Sequence, residues 1–177
     1  VTAPNDAEPI ESPRLVLLPL APGGEDALQA VFDAAPDHFE ALAGQPPQPQ
    51  AAAGEVRAAA ATPGRAVALV TLRETGEAVG AVGWWAGNPE PDVALLGTLL
   101  VVPAHRSQGI AREALAALEG WLAGRGFTRL RTAFPYRRRA IPPVVRALGF
   151  QPLPIAEHTK LGMAGAGTSL WEKRVGG

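Results

Sequence analysis

The ten residues Val93 to Val102 are apolar on both alternating faces, interrupted only by Gly97 and Thr98. A strand of that kind has no side to turn toward water, so it belongs near the centre of a sheet covered on both faces. Pro103 follows, cannot donate to a ladder and ends the strand. The run is too short for a membrane helix, which needs about 20 apolar residues. Whatever fold the chain adopts must therefore surround this strand with others and lay helices over it.

The rest of the sequence supplies them. Val1 to Ser12 reads as a loose arm, polar and rich in proline and acid; it lacks the basic and apolar regions of a secretory leader. Arg14 to Leu20 is a first strand. Asp26 to Ala35 and Ala51 to Ala61 read as helices, with the proline-rich loop Gln45 to Gln50 between them. Ala66 to Leu72 and Ala78 to Ala86 form a hairpin turning at Thr75-Gly76. Gly109 to Ala123 is the clearest helix, with Ile110, Ala114, Leu118, Trp121 and Leu122 on one face. Leu130 to Phe134 is a strand, and Pro142 to Leu148 a short helix with proline in its first turn. Gln151 to Ile155 and Ser169 to Val175 are late strands, joined by a glycine-rich loop at Gly162 to Gly167. The expected fold is a single α/β (α+β) domain over 1–177: a mixed central sheet of about seven strands with helices on both faces.

Composition narrows the function. The 177 residues suit one domain with a sizeable core. Sixteen Lys and Arg against 17 Asp and Glu leave a net charge of -1, which disfavours general nucleic-acid binding through phosphate neutralisation. There is no cysteine, so a disulfide, a thiolate metal site and an acyl-cysteine intermediate are all excluded. His38, His105 and His158 show no metal-ligand spacing, so no metal is expected. The expectation is a cytoplasmic protein with no membrane or nucleic-acid partner.

The chemistry lies where the central strand turns into the clearest helix, through Arg106-Ser107-Gln108-Gly109-Ile110-Ala111. The first amides of a helix lack intrahelical acceptors, and the helix dipole adds partial positive charge there. Together they make an anion site. Gly109 lets backbone approach an anion without a Cβ in the way, Ala111 keeps the first turn thin, and Arg106 and Arg112 add charge. A plain turn with solvated arginines is the alternative. A nucleotide site is disfavoured, because neither G-x-G-x-x-G nor G-x-x-x-x-G-K-[ST] occurs.

The pattern V-x-P-x-x-R-x-x-G-x-A, Val101 to Ala111, resembles the acetyl-CoA signature of the GNAT superfamily of N-acetyltransferases. Arg14-Leu15, the Leu148-Gly149-Phe150 ending and Leu170-Trp171-Glu172-Lys173 resemble the same family, so the likeness spans the chain and is tightest over Val93 to Phe150. The resemblance implies direct acetyl transfer from acetyl-CoA to a primary amine, on a small molecule or a peptide. It implies that the amides of Gln108, Gly109, Ile110, Ala111 and Arg112 hold the pyrophosphate. Main-chain groups near Leu100, Val101 and Val102 would pair with the pantetheine arm, in a gap opening toward the Leu130 to Phe134 strand. A homodimer is common in the family.

Two positions depart from that pattern. Many members carry a Glu where this chain has Leu95, and a Tyr, as general acid, where it has Val145; an Asn often found upstream is Arg138. No catalytic side chain is carried over. Deprotonation of the amine is expected to run through water or a nearby carboxylate, Glu90 or Asp92, and Tyr136 is a candidate donor to the leaving thiolate. Arg137 to Arg139 would suit the 3′-phosphate of CoA, an anionic acceptor or solvent. Of Trp84 and Trp85, one should face the core and the other is a candidate for the acceptor cleft. The missing Glu and Tyr keep open a second class of function: a catalytically weak, regulatory CoA-binding module.

Overall fold

The structure is a computed structural model describing residues 8–161 and 167–176. Eight strands form one sheet in the order β1-β2-β3-β4-β5-β6-β8-β7. They are β1 (Ile10–Glu11), β2 (Leu15–Pro19), β3 (Arg65–Leu72), β4 (Ala78–Ala86), β5 (Val93–Val101), β6 (Arg129–Pro135), β7 (Gln151–Pro152) and β8 (Thr168–Arg174). All pairings are antiparallel except β5 with β6. The helices are α1 (Glu25–Asp33), α2 (Pro36–Ala43), α3 (Ala51–Ala61), α4 (Ile110–Ala123), α5 (Ile141–Ala147) and α6 (Ile155–Lys160). Packing of α1 and α3 involves β3 and β4, whereas α4 meets β5, β1 and β2. The expected mixed sheet between helices is present.

Three differences from the sequence reading have local causes. The proposed arm is not loose at its end: Ile10 is buried and Ile10–Glu11 pairs with β2. Residues 1–7 of that arm lie outside the described residues, as do 162–166 of the glycine-rich loop. The strand expected from Gln151 to Ile155 stops at Pro152, because Pro152 and Pro154 lack an N–H for a ladder, and Pro154 instead caps α6. The sequence reading passed over α2 altogether. It begins with Pro36 in its first turn and ends at Gly44 in the left-handed conformation, φ 80°, the usual asymmetry of helix ends. Phe39 anchors α2 edge-on against Phe32 of α1, with ring centroids 4.8 Å apart.

The central strand behaves as expected at its ends and differently in its middle. Val93, Ala94, Leu96, Leu100 and Val101 are buried, but Gly97 is exposed and Thr98 and Leu99 are half-buried. On the β4 side the register moves from Trp84↔Leu96 to Gly83↔Thr98, so Gly97 has no partner. One extra residue on one strand is a β-bulge, which bends that strand and sharpens its twist. Pairing with β6 ends at the same place: Leu96↔Thr132 is the last matched pair. Beyond it β5 and β6 diverge. Thr132 Oγ1 closes the fork by donating to the Leu96 carbonyl at 3.2 Å. Among the described residues no helix is long and apolar enough to cross a membrane.

Candidate active site

The divergence leaves a cavity of about 300 Å³. Its walls are Gly97 to Leu99 on one side, Thr132 to Phe134 on the other, α5 along one flank and α2 along another. A second hollow lies over the turn before α4, lined by Val101, Arg106, Ser107, Gly109 and Arg112. Leu148 lines both hollows, so they adjoin.

The turn is built to present amides. Ser107 and Gly109 both take positive φ, 60° and 79°. From Ser107 to Arg112 no backbone N–H has an acceptor among the described residues. Successive free amides in such a concave turn attract anions, and the α4 dipole points the same way. Arg14 braces the turn from the start of β2. Its Nη1 donates to the Gln108 carbonyl at 3.0 Å and its Nε to Glu113 at 2.6 Å. Burial pushes the Glu113 carboxyl up, but hydrogen bonds from Ser12 and from the Arg14 backbone and side chain outweigh it, so Glu113 stays below its ordinary pKa and ionised. Arg112 reaches the Ala147 carbonyl at 2.9 Å and ties α4 to the end of α5.

Arg106 lines the hollow over the turn and is held by two partners. Its guanidinium forks onto the Asp37 carboxylate and its Nε donates to the Val101 carbonyl at 2.9 Å. Its charge is thus largely answered by Asp37, as that of Arg14 is by Glu113, which leaves the hollow over the turn with its free backbone amides and Arg112. His105 lines the second hollow and pairs with Glu77 of the β3–β4 turn at 3.1 Å.

The register also decides which main-chain groups of β5 face the gap. Val102 donates to the Val79 carbonyl. Alternate residues of an antiparallel strand turn their backbone groups to opposite sides. Leu100 and Val102 therefore face β4, while Leu99 and Val101 face the gap. Of the three residues named from the sequence, Val101 has its main chain on the gap side and Leu100 and Val102 have theirs on the β4 side.

The two candidate carboxylates do not line the cavity. Glu90 and Asp92 sit before β5, at the closed end of the β5–β6 pair. Five residues at 3.3 Å each put Asp92 about 16 Å from Gly97 along the strand, against the roughly 3 Å a general base needs. Both carboxylates are counter-ions to arginines. Glu90 contacts Arg129 at 2.5 Å and Arg131 at 3.0 Å, while Asp92 contacts Arg129 at 2.9 Å. The hydrogen bond from Arg131, joined by Arg129, holds Glu90 below the usual carboxylate range. Hydrogen bonds from Arg129 and Thr128 hold Asp92 down to about 2. Arg131, itself buried, is completed by Glu172 at 2.6 Å. Neither Glu90 nor Asp92 lines the cavity. Tyr136 is 74% exposed just past β6 and does not line it either. Trp84 is buried edge-on against Trp121, and Trp85 turns its Nε1 to the Pro63 carbonyl; neither reaches the cavity.

What does line the cavity is apolar, with three polar exceptions. Val145, at the position where a Tyr was missing, is on the α5 wall and buried. Thr98 and Thr132 mark the fork. The third is His38 on α2, which the sequence reading weighed only as a metal ligand. It is half-buried, and burial lowers its imidazole pKa from 6.5; Asp37 raises it and Arg106 lowers it further, both less than burial does.

Residues 28–150 match the sequence model of the Acetyltransferase (GNAT) family. This chain belongs to that family. GNAT structures share its fold along nearly its whole length. An acetyltransferase of Thermus thermophilus is 23% identical with a TM-score of 0.74, covering 95% of this chain and 100% of that one. RimL, the ribosomal L7/L12 alpha-N-protein acetyltransferase in complex with coenzyme A, is 18% identical with a TM-score of 0.69, covering 95% and 98%. The aminoglycoside acetyltransferase AAC(6')-Ib, also in complex with coenzyme A, is 15% identical with a TM-score of 0.65, covering 90% and 94%. No curated protein matches. The chain is a GNAT-type acyltransferase with the family's fold.

Proposed function

We propose that this protein moves the acetyl group of acetyl-CoA directly to a primary amine, with both substrates bound at once. The observation that carries the reading is the adjoining pair of hollows: an array of free amides over α4, meeting at Leu148 a largely apolar cavity in the split between β5 and β6. The amides of Gln108 to Arg112 suit the pyrophosphate. The gap-facing main chain of Leu99 and Val101 suits an extended, amide-bearing arm taken on like an added strand. Acetyl-CoA supplies an activated thioester; the protein's part is to hold it, exclude water and bring the amine to it. Relatives named for a ribosomal protein and an aminoglycoside favour an amine acceptor of small-molecule or peptide type. Dependence on an intracellular metabolite supports a cytoplasmic location.

Leu95 and Val145 favour a second reading, a CoA-binding module with little turnover. Calorimetry with CoA and a thiol-release screen over amine classes separate the two. The transferase reading expects CoA binding, turnover with at least one amine class and intersecting lines in bisubstrate kinetics. Binding without turnover leaves the module. Parallel lines or an acyl-protein adduct point instead to a covalent intermediate on serine or lysine.

A further inference from the structure

The usual acid and base of the family are absent, Glu90 and Asp92 are remote, and yet one side chain in the cavity can exchange a proton near neutrality. We propose that His38 is the general base that takes the proton from the acceptor amine. The inference rests on the transferase reading above and adds to it the residue that does the proton work.

Four observations support it. His38 lines the cavity at the split. Among the described residues its ring has no hydrogen-bond partner; its one ring neighbour is Phe39, with centroids 5.4 Å apart. A half-buried imidazole with both nitrogens free is costly unless something binds to it. Its helix is fixed: Asp37, one residue before, is gripped by Arg106, which is bonded in turn to Val101 beside the gap. The turn before α4 and the helix that carries His38 are thus joined through Arg106. Lastly, the ring's protonation suits the role. The charged groups acting on it are Asp37 of its own helix and Arg106 of the turn, and burial outweighs both, so the ring is neutral at pH 7. The cavity wall facing it adds no charged side chain.

In the proposed step a neutral imidazole nitrogen takes one proton from the acceptor ammonium. The freed amine nitrogen bonds to the thioester carbonyl carbon, and the carbon–sulfur bond breaks with its electron pair leaving on sulfur. A second nitrogen proton passes to that sulfur through imidazolium or water. The sum is one amide, one thiol and one proton released to solvent.

Two measurements test the proposal. Diethyl pyrocarbonate acylates neutral imidazole and the adducts can be assigned by mass spectrometry, so the first needs no acceptor. Saturating CoA is expected to protect His38 and leave His158, which does not line either hollow, reactive. Equal labelling of His38 with and without CoA overturns the proposal even if the protein is a transferase. The second uses the amine found by thiol release. His38→Gln is expected to lower kcat by 10²–10⁴-fold, to leave CoA affinity within about twofold, and to abolish the acid limb of kcat expected of the wild type from an imidazole whose pKa burial lowers. A loss under tenfold, or an acid limb retained in the variant, overturns it. Failure of the transferase reading looks different: wild-type protein that binds no CoA, or releases no thiol with any amine.

Discussion

Arg106 grips Asp37 with both arms of its guanidinium, Nη1 to Oδ2 at 2.5 Å and Nη2 to Oδ1 at 2.9 Å. The pair joins the turn that presents the amides to the helix that presents His38. Both side chains are well exposed, 37% and 55%. Such a pair contributes only about 0–1 kcal/mol to stability, so its effect should lie in position. Asp37→Asn is expected to shift Tm by no more than about 4 °C, to leave CoA affinity within about twofold and to lower kcat roughly tenfold. Scanning calorimetry and steady-state rates check it; an unchanged kcat would mean that α2 holds His38 without the pair.

Gly109 carries two demands at once, a positive φ and room for an anion. An alanine there costs about 1–2 kcal/mol for the left-handed backbone, which alone says nothing of binding. Gly126 offers the control. Its φ is 86°, nothing lies within 4 Å of an added Cβ, and it sits beyond the far end of α4. Gly109→Ala and Gly126→Ala are expected to lower Tm by similar amounts, but only Gly109→Ala should weaken CoA binding, by roughly tenfold or more. Equal CoA affinity in the two variants would remove the turn from the binding site.

Asp92 makes the acid limb of stability predictable. Its pKa is about 2 when folded against 3.8 ordinarily. A depressed carboxyl stabilises the fold fully above its unfolded pKa and loses that contribution as pH falls through the folded one. Tm should therefore fall between about pH 4 and pH 2, and Asp92→Asn should flatten that slope. Glu90, Glu113 and Asp37 are depressed in the same direction and steepen the same limb. A Tm indifferent to pH over this window would contradict the ion-pair assignment.

The same geometry separates structural from catalytic carboxylates. Glu90→Gln, Asp92→Asn and Tyr136→Phe should each change kcat by roughly tenfold or less, because none reaches the cavity. Glu90→Gln should nevertheless lower Tm, since it removes a counter-ion from buried Arg131. A roughly hundredfold kinetic loss in any of the three would relocate the chemistry.

Strong periodic signals carried most of the fold. The continuous apolar run Val93 to Val102, the Thr75-Gly76 turn and the apolar stripe of α4 each point to one structure, and the turn at Gly109 is legible because it joins that buried strand to that helix. Other features needed the third dimension. α2 has no fully buried residue, so its apolar pattern is faint, although Pro36 and Gly44 bracket it. His38 is inconspicuous because its meaning depends on β5 and β6, distant in sequence. Glu90 and Asp92 directly precede β5 in sequence, but the cavity opens at the other end of that strand.

The unpaired Gly97 makes the cleft a matter of counting rather than of side chains. A strand reverses its faces with every single-residue slip. Deleting Gly97 would bring Thr98↔Gly83 and Leu99↔Val82 directly after Leu96↔Trp84, remove the bulge and let β5 run on beside β6. The fork would then zip closed, and a protein with every other residue intact would have a seamless sheet where substrates should enter.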